Sequence, residues 1–304
     1  MSGNSTLGFE RNQGGDELAS TETERLERLC KSSGDGILVA PAEKGIERIE
    51  ARFQGNGFSP HRHDTYAIGL TMAGVQTFTY RGEKRASMPG QVIVIHPDEE
   101  HDGGAGTREG LRYRMLYVTP ERISEILSAA GHAELPYVPA PVVSDLRFRR
   151  DLADALSDID QQLGNLKREC LIADLADCLT RHSDRGKRPS RMLDWPSLKR
   201  CAEFLRENCS EQIRIEALES LTDMDRFTLS RQFRKIYGTS PHRFLIMRRL
   251  DGAKAKLAEG AQLAEVAIDS GFADQGHMTR HFRKAYGMTP GQWRQLAGQP
   301  AGQV

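Results

Sequence analysis

The sequence predicts an α+β chain of two domains: an N-terminal β-barrel (jelly roll) plus a helical pair, then an all-α domain with two helix-turn-helix motifs. Three observations predict it. First, one segment occurs twice. Arg231-Gln-Phe-Arg-Lys-Ile-Tyr-Gly-Thr-Ser-Pro241 returns 49 residues later as Arg280-His-Phe-Arg-Lys-Ala-Tyr-Gly-Met-Thr-Pro290, with seven of eleven positions identical. A repeat this close means one supersecondary unit built twice. Second, residues 37–118 read as short β-like runs broken by turns, and after Pro120 the period becomes helical. Third, charge divides the chain. Residues 191–304 hold 18 of the 42 Lys and Arg and 13 of the 42 Asp and Glu, a net of +5 against −5 elsewhere.

A chain of 304 residues is long enough for two cores. The basic excess sits with the repeat, as a polyanion-binding module requires, but it is too small to make the case alone. Five cysteines (Cys30, Cys170, Cys178, Cys201 and Cys209) form no CxxC pair and no zinc spacing. An odd, scattered set reads as reduced intracellular thiols. The opening Met-Ser-Gly-Asn-Ser-Thr has no basic region followed by an apolar run, so no signal peptide is expected. No stretch approaches the length of a membrane span. The expectation is a soluble, cytoplasmic protein with no membrane partner.

Residues 1–20 are polar and expected to be disordered, with a short helix over Thr21 to Lys31. The first domain is assigned to 21–144. Its strands are expected at Ile46–Phe53, Tyr66–Met72, Gln76–Tyr80, Gln91–His96 and Leu111–Val118, punctuated by Gly55-Asn-Gly, Ala73-Gly74, Arg81-Gly82 and Pro89-Gly90. Strands at this spacing suggest an antiparallel barrel or jelly roll. A helix is expected over Glu121–Ala130, then a proline-rich break from Pro136 to Pro141. Within 145–182, Leu152, Leu156, Ile159, Leu163, Leu166, Cys170 and Ala173 recur at steps of three and four, which predicts one long helix with an apolar stripe. That stripe either packs on its own barrel or forms a dimer seam, since 152, 159, 166 and 173 keep a heptad. Residues 183–194 are polar, basic and proline-broken, a linker. The second domain spans 195–298.

The first repeat unit covers about 213–236 and the second about 263–285. In each, a short helix leads through a turn to an aspartate cap, Asp225 or Asp274, and a basic helix that stops at Gly238 or Gly287. That is a helix-turn-helix, whose second helix lies in the DNA major groove with its N-terminal residues on base edges. The candidate readers are Arg226, Phe227, Ser230 and Arg231 in unit one, and Gln275, Gly276, His277 and Arg280 in unit two. Arg can grip guanine with two hydrogen bonds, Gln can do the same for adenine, and Phe227 suits a thymine methyl. Arg234, Lys235, Arg283 and Lys284 lie further along and suit phosphates. Leu229, Phe233, Met278 and Phe282 fall on the core face. Arg248, Arg249, Lys254 and Lys256, on the helix between the units, either support the fold or meet the DNA backbone.

On these residues, 195–297 closely resembles the AraC/XylS transcription regulators. Gly271-Phe-Ala-Asp-Gln-Gly-His-Met-Thr-Arg-His-Phe-Arg-Lys-Ala-Tyr-Gly-Met-Thr-Pro290 is similar to that family's C-terminal hallmark, and Leu229-Ser-Arg-Gln-Phe-Arg-Lys fits the first unit. The chain departs at Ile215-Glu-Ala-Leu-Glu-Ser-Leu, where Glu219 stands in place of a frequent alanine, expected on a solvated edge. The resemblance implies two helix-turn-helix units joined by one long helix and entering successive major-groove segments.

Pro60-His-Arg-His-Asp-Thr-Tyr-Ala-Ile-Gly-Leu and Pro89-Gly-Gln-Val-Ile-Val-Ile-His-Pro-Asp-Glu-Glu-His101 resemble the cupin-like ligand-binding domain often paired with such DNA-binding domains. Metal-binding cupins carry a His-x-His pair, a Glu shortly after, and a later His. His61, His63 and His101 match the imidazoles, but Ala67 and Ile68 stand where the Glu is expected. The reading therefore assigns no metal, no cofactor and no catalytic residue. It places His61, His63, Tyr66 and His101 at the mouth of a pocket for a small effector. The function expected from all this is a sequence-specific DNA-binding transcription regulator. Its partners are double-stranded DNA, a small-molecule effector, RNA polymerase and a second copy of the chain, and family resemblance favours an activator. The alternatives are a cupin metalloenzyme or metal sensor with a DNA-binding appendage, and a non-specific DNA-coating protein.

Overall fold

The computed structural model describes residues 35–132, 134–184 and 193–297. The segment 1–20, the Thr21–Lys31 helix and most of the 183–194 linker lie outside the described residues. Among the described residues ten strands form two antiparallel sheets. The larger runs in the order β1 (Gly36–Val39), β2 (Ile46–Phe53), β9 (Leu111–Val118), β4 (Tyr66–Gly74), β7 (Val92–Ile95) and β10 (Val142–Val143). The smaller runs β3 (Asn56–His61), β8 (His101–Ala105), β5 (Gln76–Tyr80) and β6 (Glu83–Ser87). This is the jelly-roll-like domain that the strand spacing predicts.

Five strands fall where periodicity places them. β3, β6 and β8 do not announce themselves, for distinct reasons. β3 carries Gly57 and Pro60, β8 carries Gly103 and Gly104, and β6 is a charged edge, Glu83-Lys84-Arg85, exposed throughout. Gly and Pro lower strand propensity, and a charged edge is how a sheet avoids further pairing. β4 is buried over its first six residues, so it reads as a continuous apolar run. One of its faces looks into the barrel and the other lies under helices.

Those helices are α1 (Pro120–Ala129), α2 (Leu146–Ala155) and α3 (Asn165–Arg181). The single long helix expected over 145–182 is two, broken between Leu156 and Gly164. The break divides the apolar stripe. Leu152, Leu156, Ile159 and Leu163 are buried against Ile68, Leu116 and Val118 of the sheet. Leu166, Cys170 and Ala173 are exposed, Leu166 at 79%. Part of the stripe is thus core, and only its second half is open.

The helical domain holds α4 (Trp195–Glu207), α5 (Ile215–Thr222), α6 (Arg226–Tyr237), α7 (Pro241–Ala258), α8 (Leu263–Asp269), α9 (Gln275–Tyr286) and α10 (Pro290–Ala297). Its first unit builds its own core from Leu198, Leu205, Leu229, Phe233 and Phe244. The second unit does not. Leu250, Phe282 and Trp293 belong to one continuous apolar cluster with Phe53, Tyr113 and Met115 inside the barrel. No described helix is long and apolar enough to cross a membrane.

Candidate nucleic-acid interface and interdomain pocket

Both repeat units fold as their sequences dictate. In the first, α5 ends at Asp223, in the left-handed region at φ 54°, and the Asp225 carboxylate accepts from the Phe227 and Thr228 N–H groups at 2.9 and 3.0 Å. Hydrogen bonding from the Thr228 side chain first, and then these backbone N–H groups, holds the Asp225 carboxyl below the usual carboxylate range. In the second, Asp274 accepts from the His277 N–H at 2.6 Å. Gly238 and Gly287 end the two basic helices, both at φ 70°. The turn before α9 needs Gly271, because a Cβ there would lie 2.6 Å from the Ser210 carbonyl.

Of the expected readers, Arg226, Phe227, Arg231 and Arg234 on α6 are exposed, Phe227 at 80%, while Ser230 is half-buried. On α9, Gln275, Gly276, Arg280, Arg283 and Lys284 are exposed and His277 is half-buried. Leu229, Phe233, Met278 and Phe282 are buried, as the core-face assignment requires. Among the described residues neither Arg231 nor Arg280 forms an ion pair. Arg226 does: Glu219 holds its guanidinium at 3.1 Å and accepts its backbone N–H at 2.8 Å. Glu219 is therefore a clamp on the first reader, not an idle residue on a solvated edge. Lys235 reaches Glu134 of the first domain at 2.6 Å, so it serves the domain contact as well as any phosphate. His277 and His281 meet through Nε2 atoms at 3.0 Å, and the Ala273 N–H points to His277 Nδ1 at 3.4 Å. His277 therefore carries its proton on Nε2 and donates it to His281. Burial pushes His281 down to about 4, helped by His277.

The two domains meet along charged contacts that span 100 to 200 residues of sequence, which no local pattern foretells. Arg248 of α7 pairs with buried Asp64 at 2.9 Å, and Lys254 grips both Glu47 oxygens at 2.9 Å. Arg243 bonds the Arg62 carbonyl and faces Asp98 at 3.6 Å. Arg249 caps the Cys209 and Glu211 carbonyls, and Lys256 pairs with Asp269. All four basic residues between the units thus have partners within the protein, Lys256 in an exposed pair. Burial raises the Asp64 carboxyl to about 6 against the pull of Arg248. Both heads also dock through their C-terminal ends. Ser124 Oγ donates to the Ile236 carbonyl at 3.1 Å, beside Gly238. The Ser59 and Arg62 N–H groups of the β3 segment donate to the Gly287 and Lys284 carbonyls at 3.1 and 2.9 Å.

Inside the barrel a pocket of about 30 Å³ lies beside Phe78, Tyr113 and Met115. The large cavity, about 520 Å³, lies between the domains. Ile37, Val39 and Ile49 line it from the sheet, and Met247, Met288 and Trp293 line it from the helical domain, with His61, His63 and Lys254 among its polar groups. His61 lines both spaces and His101 only the smaller. Tyr66 lines neither. Its side chain points to the opposite face of the sheet, where its buried hydroxyl donates to the Pro136 carbonyl at 3.0 Å. Of the four residues expected at an effector pocket, only His61 and His63 line the interdomain cavity, and Tyr66 is a core residue. Burial holds His61 and His63 well below the ordinary imidazole range and lowers His101 too, so all three rings are neutral.

Comparison with known proteins matches these halves in order. The family model described as an AraC-like ligand binding domain matches residues 43–176, and a helix-turn-helix domain model matches 219–296. The HTH-type transcriptional regulator YbfI of Bacillus subtilis is 30% identical over 239 residues, covering 76% of this chain and 86% of YbfI. The XylDLEGF operon transcriptional activator 1 of Pseudomonas putida is 32% identical, covering 76% of this chain and 75% of its own. The solved structure of ToxT from Vibrio cholerae shares the two-domain fold with a TM-score of 0.61 at 10% identity, over 84% of this chain and all of ToxT.

Proposed function

The chain belongs to the AraC/XylS family of transcription regulators, and on that premise we propose that it is an effector-responsive activator with two unequal DNA-reading heads. The observation that carries this is the repeated capped helix with an exposed N-terminal half. The two copies are joined by α7, whose 18 residues span about 27 Å, on the order of one DNA helical turn. Arg226, Phe227, Ser230 and Arg231 read bases from the first head. Gln275, Gly276, His277 and Arg280 read them from the second. Arg234, Lys235, Arg283 and Lys284 meet phosphates. Because the base-facing residues differ, each chain reads an asymmetric site of two adjacent groove segments. Arg231→Ala and Arg280→Ala should each cost about 1–3 kcal/mol in binding a site selected from random duplexes. A non-specific DNA coat predicts instead equal losses on every sequence.

The effector occupies the interdomain cavity, with His61 and His63 among the polar groups that meet it. The lining suits a small molecule with a largely apolar body and one polar end, since most charged groups there are already paired with each other. Filling this space alters the contact between domains, which regulates only if the effector prefers one arrangement. Trp293 lines the cavity, so its fluorescence reports occupancy. A metabolite panel that raises thermal stability but leaves Trp293 emission unchanged would place the site elsewhere. The exposed half of the α3 stripe, Leu166, Cys170 and Ala173, is the surface for a second copy. A DNA-bound dimer then meets RNA polymerase in the cytoplasm. No residue is assigned a catalytic role.

A further inference from the structure

The cavity between the domains has apolar walls and one charged end, and the charges there are unevenly placed. Glu47, Asp64 and Asp251 line that end together with Arg248 and Lys254. Glu43 also lines the cavity, but its carboxylate is buried against Arg48 at 2.9 Å. Three carboxylates thus face two cations, with His61 and His63 beside them neutral. The cations lie underneath. The side chains of Arg248 and Lys254 are 14% and 13% exposed, those of Asp251 and Glu47 51% and 41%. A molecule entering the cavity therefore meets carboxylate before it meets guanidinium or ammonium. Both cations are also taken: Glu47 holds Lys254 through two oxygens at 2.9 Å, and Asp64 and Asp251 share Arg248 at 2.9 and 3.1 Å. The acid side is left unbalanced. Asp64 is buried, and its Oδ1 has no hydrogen-bond partner among the described residues. Burial first, and the Asp251 charge besides, keep its carboxyl up at about 6 against the pull of Arg248. The same end already holds one ammonium against aromatic faces. Lys254 Nζ lies 4.9 Å from the centroid of the Tyr286 ring and 5.6 Å from that of Trp293, and the Tyr286 hydroxyl donates to Asp251 at 3.3 Å. Carboxylates beside ring faces are a setting that favours a positive charge.

On the reading that this cavity is the effector site, we propose that the effector is an organic cation, an ammonium on an apolar body, held between Glu47 of β2 and Asp251 of α7. A charge leaving water needs an opposite charge to meet it. An ammonium finds that here. A carboxylate reaches Lys254 only by displacing Glu47, and a neutral alcohol leaves the acid excess as it is. The apolar body lies along Ile37, Val39, Met247 and Met288, in a space of about 520 Å³ that is ordinary for a small-molecule site. Glu47 belongs to the barrel and Asp251 to the helical domain, so a cation between them adds a bridge across the seam beside the one that Lys254 makes.

The test uses the full chain and three eight-carbon probes that differ at one end: octylamine, octanol and octanoate. Affinity is read by calorimetry, and location by Trp293 emission in a Trp195→Phe chain. Octylamine is expected to shift that emission and to bind about 10–100-fold more tightly than the other two, the worth of a hydrogen bond to a charged group. Asp251→Asn and Glu47→Gln should each remove about 10-fold or more of that preference. Asp269→Asn, an acid outside the cavity, should keep it. Octanol or octanoate binding as tightly as octylamine, with Trp293 responding, overturns the cation and leaves the cavity as the effector site. Octylamine binding without a Trp293 response overturns both. No binding of octylamine, or its full preference kept in both cavity variants, overturns the proposal. Should those variants misfold, the order of the three probes on the wild-type chain decides.

Discussion

The two reading heads are near copies in sequence and unequal in setting. α6 and α9 share the aspartate cap, the buried Phe and the terminal glycine. But α6 sits on a core of its own with α4 and α5, whereas Phe282 of α9 belongs to the same apolar cluster as the barrel interior. Each head touches the first domain at its C-terminal glycine: Gly238 against Pro97 and Pro120, Gly287 against Ser59 and His61. Only the second contact adjoins the cavity and the histidine cluster. The difference teaches where regulation has purchase. The barrel shares packing with the second head, and it meets the first through α1 and the ion pairs Glu121–Arg206 and Glu134–Lys235.

The largest effects should come from breaking the cores. Phe233→Ala and Phe282→Ala each remove a fully buried ring and should cost about 3–5 kcal/mol. The two tryptophans separate them. Trp195 packs on the first head's core and Trp293 in the shared cluster. In denaturant titrations of single-tryptophan chains, Phe282→Ala should shift the Trp293 transition most and Phe233→Ala that of Trp195. Identical shifts in both reporters would erase the distinction. Arg248→Ala comes next, because it strands a buried Asp64, and a loss of about 3 kcal/mol is expected. That loss should fall on domain docking, read as faster proteolysis between the domains.

A pH titration sharpens the comparison further. His281 is depressed from 6.5 to about 4, so its stabilisation is fully present above 6.5 and is lost as pH falls through about 4. The α6 helix carries no histidine. His281→Gln should flatten the acid limb of the Trp293 transition and leave that of Trp195 as it was. The smallest effect is expected from Glu219→Ala, which frees an exposed Arg226. It should tighten binding slightly at the first half-site alone, as measured by competition between base-substituted duplexes.

Much of this was legible in sequence because it is local. The caps, the glycine stops and the core faces of α6 and α9 follow from residue spacing, and five strands follow from short β-like runs bounded by turn residues. What escaped is long-range or contrary to propensity. β3 and β8, which carry His61 and His101, are rich in Gly and Pro. The pairs Asp64–Arg248 and Glu47–Lys254 join residues 184 and 207 positions apart. The cavity of about 520 Å³ lies on the seam between the domains, where residues far apart in sequence meet. Tyr66 lies three positions from His63 in a strand buried on both faces, so parity alone did not say which face it takes.

The central claim, that two non-equivalent heads read adjacent and different sequences, is tested most directly by mapping one selected DNA site with two variants. Arg231→Ala and Arg280→Ala would be assayed against every single-base substitution of that site. The account predicts that each variant loses discrimination at its own cluster of positions, the two clusters lying about one helical turn apart. Loss at the same positions for both, or uniform weakening at all of them, would contradict it.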